Sequence, residues 1–298
     1  MKKSLFKVTL LLACTVSVMN AQPGPPEDFS FLFMTDIHLE YGKGAIDGFN
    51  QAIDTANRLG TDFVLTGGDL IADALAAKHS RADSLYALYV ESVKAFEMPV
   101  YNTIGNHELY GLYEESGADT LDPDYYDGMY KRYLGKTYYS FDHKGWHFIV
   151  LNSIIDAGNS RYIGYIGDEQ MEWLKNDLRN IDHETPVIVS THIPFVTTYS
   201  QFRNGALAPN EEGLVITNSQ EVFKVLQPYN LKLVLQGHLH IIEYINMQDK
   251  IRMLIGGAVS AHWWGGPNLG MEEGFMKIDI RDGEIFWNYI DYGWEAVK

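Results

Sequence analysis

Five short polar motifs lie along the chain, and each of them follows an apolar segment. In order they are Asp36-Ile37-His38, Gly67-Gly68-Asp69, Gly105-Asn106-His107-Glu108, Thr191-His192 and Gly237-His238-Leu239-His240. Residues two apart in an extended chain point to the same side, so both members of an Asp-x-His or His-x-His pair can face one centre. Carboxylate oxygens and neutral imidazoles are the ligands of hydrolytic metal centres, and the motifs contain no sulfur. One such motif alone is typical of a plain turn, whereas five in this order indicate a metal centre.

Strands that alternate with helices must position these motifs. Apolar runs predict strands over residues 29–35, 63–66, 99–104, 146–152, 187–191, 231–236, 251–255, 275–280 and 285–290. Apolar residues at helical spacing predict helices over residues 45–59, 80–96, 168–181 and 220–226. The motifs would then emerge at the edge of an α/β sheet where ligands of open α/β folds bind. No linker-like stretch divides the chain after Pro26, so we expect a single domain.

The composition excludes several classes of protein. The 298 residues contain 23 Lys and Arg against 39 Asp and Glu, which gives a formal net charge of −16. A general nucleic-acid binder, or a protein held to acidic lipid by charge, would need a basic patch, and the sequence has no run of Lys and Arg. We therefore expect no nucleic-acid duplex as a partner. No apolar run is long enough to predict a transmembrane segment.

The N-terminal residues resemble a secretory signal. A basic start at Met1-Lys2-Lys3 precedes an apolar run over 8–19, and Ala21 offers a cleavage site. We therefore expect residues 1–21 to be a signal peptide, residues 22–298 to form the domain, and the protein to be periplasmic or secreted. The alternative is a lipoprotein anchored through Cys14, the single cysteine of the chain. In either case the domain has no thiol for a disulfide, a metal ligand or a nucleophile.

The five motifs together resemble those of the calcineurin-like metallophosphoesterase superfamily, and they run from residue 36 to residue 240. The resemblance implies a four-layer α/β/β/α sandwich with two divalent metals (Mn, Fe or Zn) at the strand ends. It implies that the first metal is held by Asp36, His38 and His240, the second by Asn106, His192 and His238, and both by a bridging Asp69. The resemblance also implies that His107 is catalytic, contacting the phosphate and assisting the leaving group without ligating a metal.

The details of the motifs differ from those of the purple acid phosphatase branch of this superfamily. That branch carries a tyrosine ligand three residues after the bridging aspartate, where this chain has Ala72, and a Gly or Asn where it has His38. The pattern is more similar to bacterial cyclic-nucleotide phosphodiesterases. We therefore expect hydrolysis of a phosphate mono- or diester by a metal-activated hydroxide, with nucleotides and cyclic nucleotides as candidate substrates. The alternatives are a phosphoprotein phosphatase and a catalytically silent binding module.

Three further segments carry no assigned chemistry. Residues 108–139 and 195–219 show little periodicity and are candidate cap or substrate loops, or else variable surface loops. Residues 260–266, Ser-Ala-His-Trp-Trp-Gly-Gly, offer aromatic faces to a substrate pocket, or else form part of the core. The oligomeric state and the particular phosphoester stay open.

Overall fold

A computed structural model of the protein describes residues 27–297. Its strands are β1 (Phe29–Met34), β2 (Phe63–Thr66), β3 (Val100–Tyr101), β4 (Tyr139–His143), β5 (Trp146–Val150), β6 (Ile154–Asp156), β7 (Tyr162–Gly164), β8 (Pro186–Ser190), β9 (Asn230–Gln236), β10 (Ile242–Met247), β11 (Ile251–Gly256), β12 (Gly274–Arg281) and β13 (Glu284–Asp291). Its helices are α1 (Ala45–Leu59), α2 (His79–Ser92), α3 (Gly128–Leu134), α4 (Asp168–Leu178), α5 (Tyr199–Asn204) and α6 (Ser219–Leu226). The predicted signal peptide and Cys14 lie outside the described residues.

The strands form two large sheets. The first has the order β13-β12-β1-β2-β3, and the second has the order β10-β11-β9-β8-β5-β4, while β6 and β7 pair separately. Strands β1, β2 and β3 are parallel to one another, as are β5, β8, β9 and β11. Parallel neighbours bring their carboxyl ends to the same edge of a sheet, so each sheet offers one edge at which a site can form.

Side-chain alternation along the strands explains why there are two sheets. In β1, Phe29, Phe31 and Phe33 lie in an apolar cluster whose buried members all come from strands, whereas Leu32 and Met34 lie in a second cluster with helix residues. Successive strand residues point to opposite faces, so both faces of this strand are buried. The first cluster fills the space between the sheets, and the second fills the space between sheets and helices. This confirms the predicted four-layer α/β/β/α arrangement.

The helices bury one apolar stripe each against the sheets. In α1, Phe49, Ala52 and Ala56 are fully buried, and the helix ends at Gly60, which has a left-handed φ of +60°. Glycine reaches this conformation without the steric cost that a side chain would add, so it terminates helices readily. On the second sheet, α4 and α6 bury Leu174 and Leu226 in the same way.

The sequence predicted most of these elements but missed several. The strand expected over 99–104 is limited to Val100–Tyr101, because the Thr103 N–H donates to the side-chain hydroxyl of Thr66 in β2 rather than to a backbone carbonyl of that strand. Strands β4 and β10 were not predicted, since both lie at sheet edges and carry polar residues among the apolar ones. Helices α3 and α5, with 7 and 6 residues, are too short to show a periodic pattern. The expectation of irregular structure over 108–139 and 195–219 is thus partly wrong.

A buried histidine links β5 to its surroundings. His147 Nδ1 lies 2.6 Å from Asp142 Oδ1 in β4, and its Nε2 lies 2.9 Å from Asp177 Oδ2 in α4. Burial opposes protonation, but the two carboxylates raise the pKa of His147 above its usual range. The imidazole therefore joins β4, β5 and α4, and the two carboxylates favour its charged form.

We predict that His147→Gln removes a pH-dependent part of the stability. The folded-state pKa is raised, so the contribution is complete below the unfolded value of about 6.5 and is lost as the pH rises through the folded pKa. Urea unfolding should show the variant less stable than wild type by about 1–3 kcal/mol at pH 6 and by less at pH 9. His183→Gln, at an exposed imidazole, is the control. An equal difference at both pH values would contradict the assignment.

Candidate metal centre

The predicted site residues meet where the carboxyl ends of strands from both sheets come together. Asp36 and His38 follow β1, Asp69 follows β2, and Asn106 follows β3, all in the first sheet. His192 follows β8, and both His238 and His240 follow β9, in the second sheet. The spacing argument placed the motifs at a single sheet edge, whereas the structure forms the site between two edges.

One group of donor atoms comprises Asp36, His38 and His240. The Nε2 atoms of His38 and His240 lie 2.9 Å apart, and His240 Nε2 lies 3.4 Å from Asp36 Oδ1. All three residues are buried. The other Asp36 oxygen, Oδ2, accepts a hydrogen bond from the Thr35 hydroxyl, and the His240 Nδ1–H donates to the Ala261 carbonyl. Asp36 Oδ1 also accepts the His238 N–H at 3.0 Å and keeps a second lone pair for the centre, which His240 Nε2 faces as well.

A second group comprises Asn106, His192 and His238. His192 Nε2 lies 3.0 Å from Asn106 Oδ1 and 3.2 Å from His238 Nδ1. The His192 Nδ1–H donates to the Gly67 carbonyl, which fixes the ring with Nε2 turned inward. This group differs from the first in having an amide oxygen in place of a carboxylate within its three residues.

Asp69 lies between the two groups. Its Oδ2 atom is 3.7 Å from His38 Nε2 of the first group and 3.2 Å from His192 Nε2 of the second. Its Oδ1 accepts the N–H of His107. One carboxylate therefore faces donor atoms from both sheets, the position expected of a ligand shared by two ions.

The donor set fits two metal ions. Within each group, neighbouring donor atoms lie 2.9–3.4 Å apart, the spacing of adjacent ligands around one ion with bonds of about 2.1 Å. Carboxylate, amide and imidazole donors without sulfur suit ions such as manganese, iron or zinc. The structure therefore brings all seven predicted ligands together in two neighbouring groups, and their role as ligands stays a prediction.

Without bound metal, burial and the charges of neighbouring groups determine the pKa values of the site residues. Although burial favours the neutral ring, the carboxylate of Asp69 raises the pKa of His192 to about 9. Burial and the charge on His192 lower the pKa of His238 to about 3, and burial lowers that of His38 well below its usual range. Burial opposes ionisation of Asp69, but His192 and His107 hold its pKa well below normal. A cation can replace the proton on His192, since metal ligands must be deprotonated.

The backbone at the ligands is strained. The φ angles are +54° at Asp36, +47° at His38, +52° at Asp69, +75° at His238 and +51° at His240. Left-handed conformations are unfavourable for residues with a Cβ and persist only where the surroundings enforce them. Backbone bonds supply that constraint, because Asp36 N–H donates to Gly68 O and His38 N–H to Asp69 O. Strain of this kind concentrates at functional sites.

Glycines allow the strand ends to approach each other. A Cβ added at Gly105 would lie 2.2 Å from the backbone nitrogen of Asp69, and one at Gly237 would lie 2.1 Å from Thr35 Oγ1. Neither position has room for a side chain. The motif glycines therefore allow the close approach that brings the ligands together.

The motif analysis gave Glu108 no role, yet its carboxylate holds the loops together. Glu108 is fully buried and accepts the N–H groups of Asp69, Leu70, Ile71 and Gly105 at 2.6–3.2 Å. Burial and the charge on Asp69 raise its pKa to about 7, against the effect of the N–H donors. A possible signal was its place three residues after Gly105, where Glu often accepts from the start of a helical turn.

We predict that Glu108→Gln destabilises the protein by at least about 2 kcal/mol, because its amide group would face two buried N–H donors and leave them without acceptors. Chemical unfolding at pH 8, where the carboxylate is ionised, measures this change. Glu115→Gln, at an exposed carboxylate in the turn Glu114–Ser116, should be neutral. Equal stabilities for the two variants would show that Glu108 does not hold the loops.

His107 faces the same centre from the first sheet. Its Nε2 lies 3.9 Å from Asp69 Oδ2, and its Nδ1 lies 3.4 Å from Asp73 Oδ1. Burial opposes protonation, but these two carboxylates raise the pKa of His107. His38, Asp69 and His107 are also close enough together to hold an ion. The geometry alone therefore allows His107 to be either a proton donor or a ligand.

Another cluster, His79, Asp122 and Asp124, lies on the surface. Arg132 already contacts both carboxylate oxygens of Asp124 through its guanidinium. A fixed cation thus occupies the place that a metal would take, and this cluster is best described as an ion-pair network.

A surface pocket of about 530 Å³ lies beside His238. Tyr162 of β7 lines it, with its ring centre 6.4 Å from that of His238. Tyr113 from the 108–139 segment and residues 210–213 from the 195–219 segment form other parts of its wall. Both segments that lacked a periodic pattern therefore border the same pocket next to the centre.

Comparison with known proteins identifies the family. The family model for calcineurin-like phosphoesterases matches residues 29–241, more than half of the chain. The chain therefore belongs to the calcineurin-like phosphoesterase family, and its relatives and fold neighbours are hydrolases. A dimetal phosphatase from Danio rerio has a similar structure, with a TM-score of 0.62 over 90% of this chain and 98% of that one, at 15% identity. Within residues 27–297, no helix is long and apolar enough to cross a membrane.

The curated relatives carry several activities. A 3′,5′-cyclic adenosine monophosphate phosphodiesterase of Haemophilus influenzae is 26% identical over 60% of this chain and 54% of its own length. A manganese-dependent ADP-ribose/CDP-alcohol diphosphatase of Arabidopsis thaliana is 24% identical over 67% of this chain and 72% of its own length. Purple acid phosphatase 23 of the same plant is 32% identical over 37% of this chain. The chain spans 21–49% of the length of the three purple acid phosphatases that it matches.

Proposed function

We propose that this chain hydrolyses phosphate esters at a centre of two divalent cations. One ion would be held by Asp36, His38 and His240, the other by Asn106, His192 and His238, and both by Asp69. The observation that carries the proposal is the convergence of six donor residues from two sheets into two groups, with the Asp69 carboxylate as a seventh donor between them. Two bound dications would supply Lewis acidity and a hydroxide nucleophile at neutral pH.

The ligand charges favour binding of an anion. Among the seven proposed ligands only Asp36 and Asp69 are anionic, so two dications would leave the centre with a net charge of about +2. A phosphate group can therefore bind there although the whole chain carries −16. His107, which is not one of the proposed ligands, adds a hydrogen-bond donor for the phosphate oxygens.

His107 is proposed to donate a hydrogen bond or a proton to the substrate. Its side chain is 18% exposed, so a substrate can reach it, and Asp73 lies 3.4 Å from the ring nitrogen opposite the centre. A carboxylate in that position orients the ring and favours its charged form. Nε2, the ring nitrogen that faces the centre, can then donate a hydrogen bond to the phosphoryl oxygens or a proton to the leaving oxygen.

The proposed substrates are nucleotides or cyclic nucleotides. Support comes from the relatives named as a cyclic-nucleotide phosphodiesterase and an ADP-ribose/CDP-alcohol diphosphatase, and from Ala72 and His38, which depart from the purple acid phosphatase pattern. Hydrolysis rates of an aryl phosphate monoester and the matching bis-aryl diester test this class, since a strong monoester preference would contradict a cyclic-nucleotide substrate.

Export is proposed from residues 1–21 alone. The intact mass of the protein recovered from the periplasm or medium should correspond to a chain beginning at Gln22. A chain that begins at a lipid-modified Cys14 would instead indicate membrane anchoring, and an uncleaved chain would contradict export.

We predict that Asp69→Asn lowers kcat at least about 100-fold and weakens metal binding. Loss of a shared ligand should exceed the 10–100-fold cost of removing a residue that only supports a ligand. Steady-state kinetics and elemental analysis on the same preparation measure both effects. Asp73→Asn keeps all seven ligands and serves as the control for metal content. A near-wild-type rate in Asp69→Asn would overturn the metal assignment.

We predict that His107→Ala keeps two metal ions per chain yet loses about 100-fold or more in kcat, the usual range for a general acid or base. Elemental analysis of the metal content distinguishes a proton donor from a metal ligand, the two roles that the geometry allows for His107. Loss of an ion from this variant would identify His107 as a ligand, and an unchanged rate with both ions bound would exclude a catalytic role.

A further inference from the structure

The histidines of the centre are held in place in different ways. The Nδ1–H groups of His192 and His240 donate to backbone carbonyls, those of Gly67 and Ala261. Such bonds orient a ligand ring and select its tautomer. His38 Nδ1 is buried and has no hydrogen-bond partner among the described residues. His38 therefore needs another means of orientation.

An indole ring lies directly against His38. The ring centres of His38 and Trp263 are 3.7 Å apart, and the planes are inclined by 26°. Trp263 also meets the His107 ring edge-on, with centres 4.8 Å apart. A large flat ring at stacking distance limits rotation of the imidazole about its side-chain bonds, because a turn of that ring would drive its edge into the indole.

The segment that carries Trp263 is attached to the ends of β1 and β9. The Ser260 hydroxyl donates to the Asp36 carbonyl, and Trp264 Nε1–H donates to the His38 carbonyl. Ala261 accepts the bond from His240. The φ angles of Ala261, Trp263 and Trp264 are +42°, +54° and +64°, which are costly for residues with a Cβ. The contacts with the ligand loops are what hold this segment in place.

We infer that Trp263 is a positioning residue for His38, and that its indole face replaces the hydrogen bond that the His192 and His240 rings each donate to a backbone carbonyl. The inference rests on the proposed metal centre. It gives the Trp263-Trp264 pair a joint role, since one indole covers the His38 ring and the other binds the His38 backbone. Loss of the Trp263 ring frees the imidazole and weakens the ion held by Asp36, His38 and His240.

Manganese titration of metal-free protein tests the inference. Wild type should bind two Mn²⁺ ions, and Trp263→Ala should bind one of them about 10–100-fold more weakly, the usual cost of losing a group that orients a ligand. Trp263→Phe, which keeps an aromatic face, should recover most of the affinity, whereas Trp263→Leu should not. Trp173→Ala, at a half-buried tryptophan in α4, is the control and should match wild type.

A double-mutant cycle with His38→Ala tests whether Trp263 acts through His38. In the His38→Ala background, Trp263→Ala should cause a much smaller further loss of Mn²⁺ affinity, because the ring nearest to the indole is absent and only the more distant His240 ring, with centres 5.8 Å apart, still faces it. An equal loss in both backgrounds, or wild-type affinity for both ions in Trp263→Ala, would overturn the inference. Equal weakening of both ions with a lower melting temperature of the metal-free protein would make the role merely structural. A wild-type chain that binds no ions would instead overturn the proposed function.

Discussion

The crowding of lone-pair donors around one carboxylate is the constraint on which the rest of this structure depends. Imidazole nitrogens from the first and the second sheet lie 3.7 Å and 3.2 Å from Asp69 Oδ2. Such atoms repel one another unless a cation lies among them, and in the protein alone the proton on His192, whose pKa is about 9, supplies part of that charge. In the proposed centre, two dications would replace this proton and would relieve the repulsion among the donor atoms.

Much of the surrounding structure serves to maintain that crowding. Strained backbone at the ligands needs external support, which Glu108 provides for the loop after β2 by accepting four N–H groups. Gly105 and Gly237 leave no space for a side chain where the strand ends meet. The segment around Trp263 closes the other side through bonds to Asp36, His38 and His240. Different elements thus enforce one geometry, and each contributes a separate part of the constraint.

Most of the fold and all seven proposed ligands could be predicted from the sequence, and the reason is physical. Buried parallel strands are continuous apolar runs, and polar residues at their carboxyl ends stand out against them, as Asp36 does after β1. Edge strands such as β10 and short helices such as α5 lack this contrast and were missed. Glu108 and Trp263 act through contacts with residues distant in sequence, so the local pattern gave only the place of Glu108 after Gly105 and an aromatic segment around Trp263, and neither role. The spacing of the motifs also did not predict that the site forms between the edges of two sheets; only the resemblance to the family implied two sheets.

The most direct test of the account is an anomalous-scattering map from crystals of the protein equilibrated with Mn²⁺. The account predicts two peaks, one among Asp36, His38 and His240 and one among Asn106, His192 and His238, with the Asp69 carboxylate between them. The absence of any peak at these residues, or a single peak bound elsewhere, would contradict it.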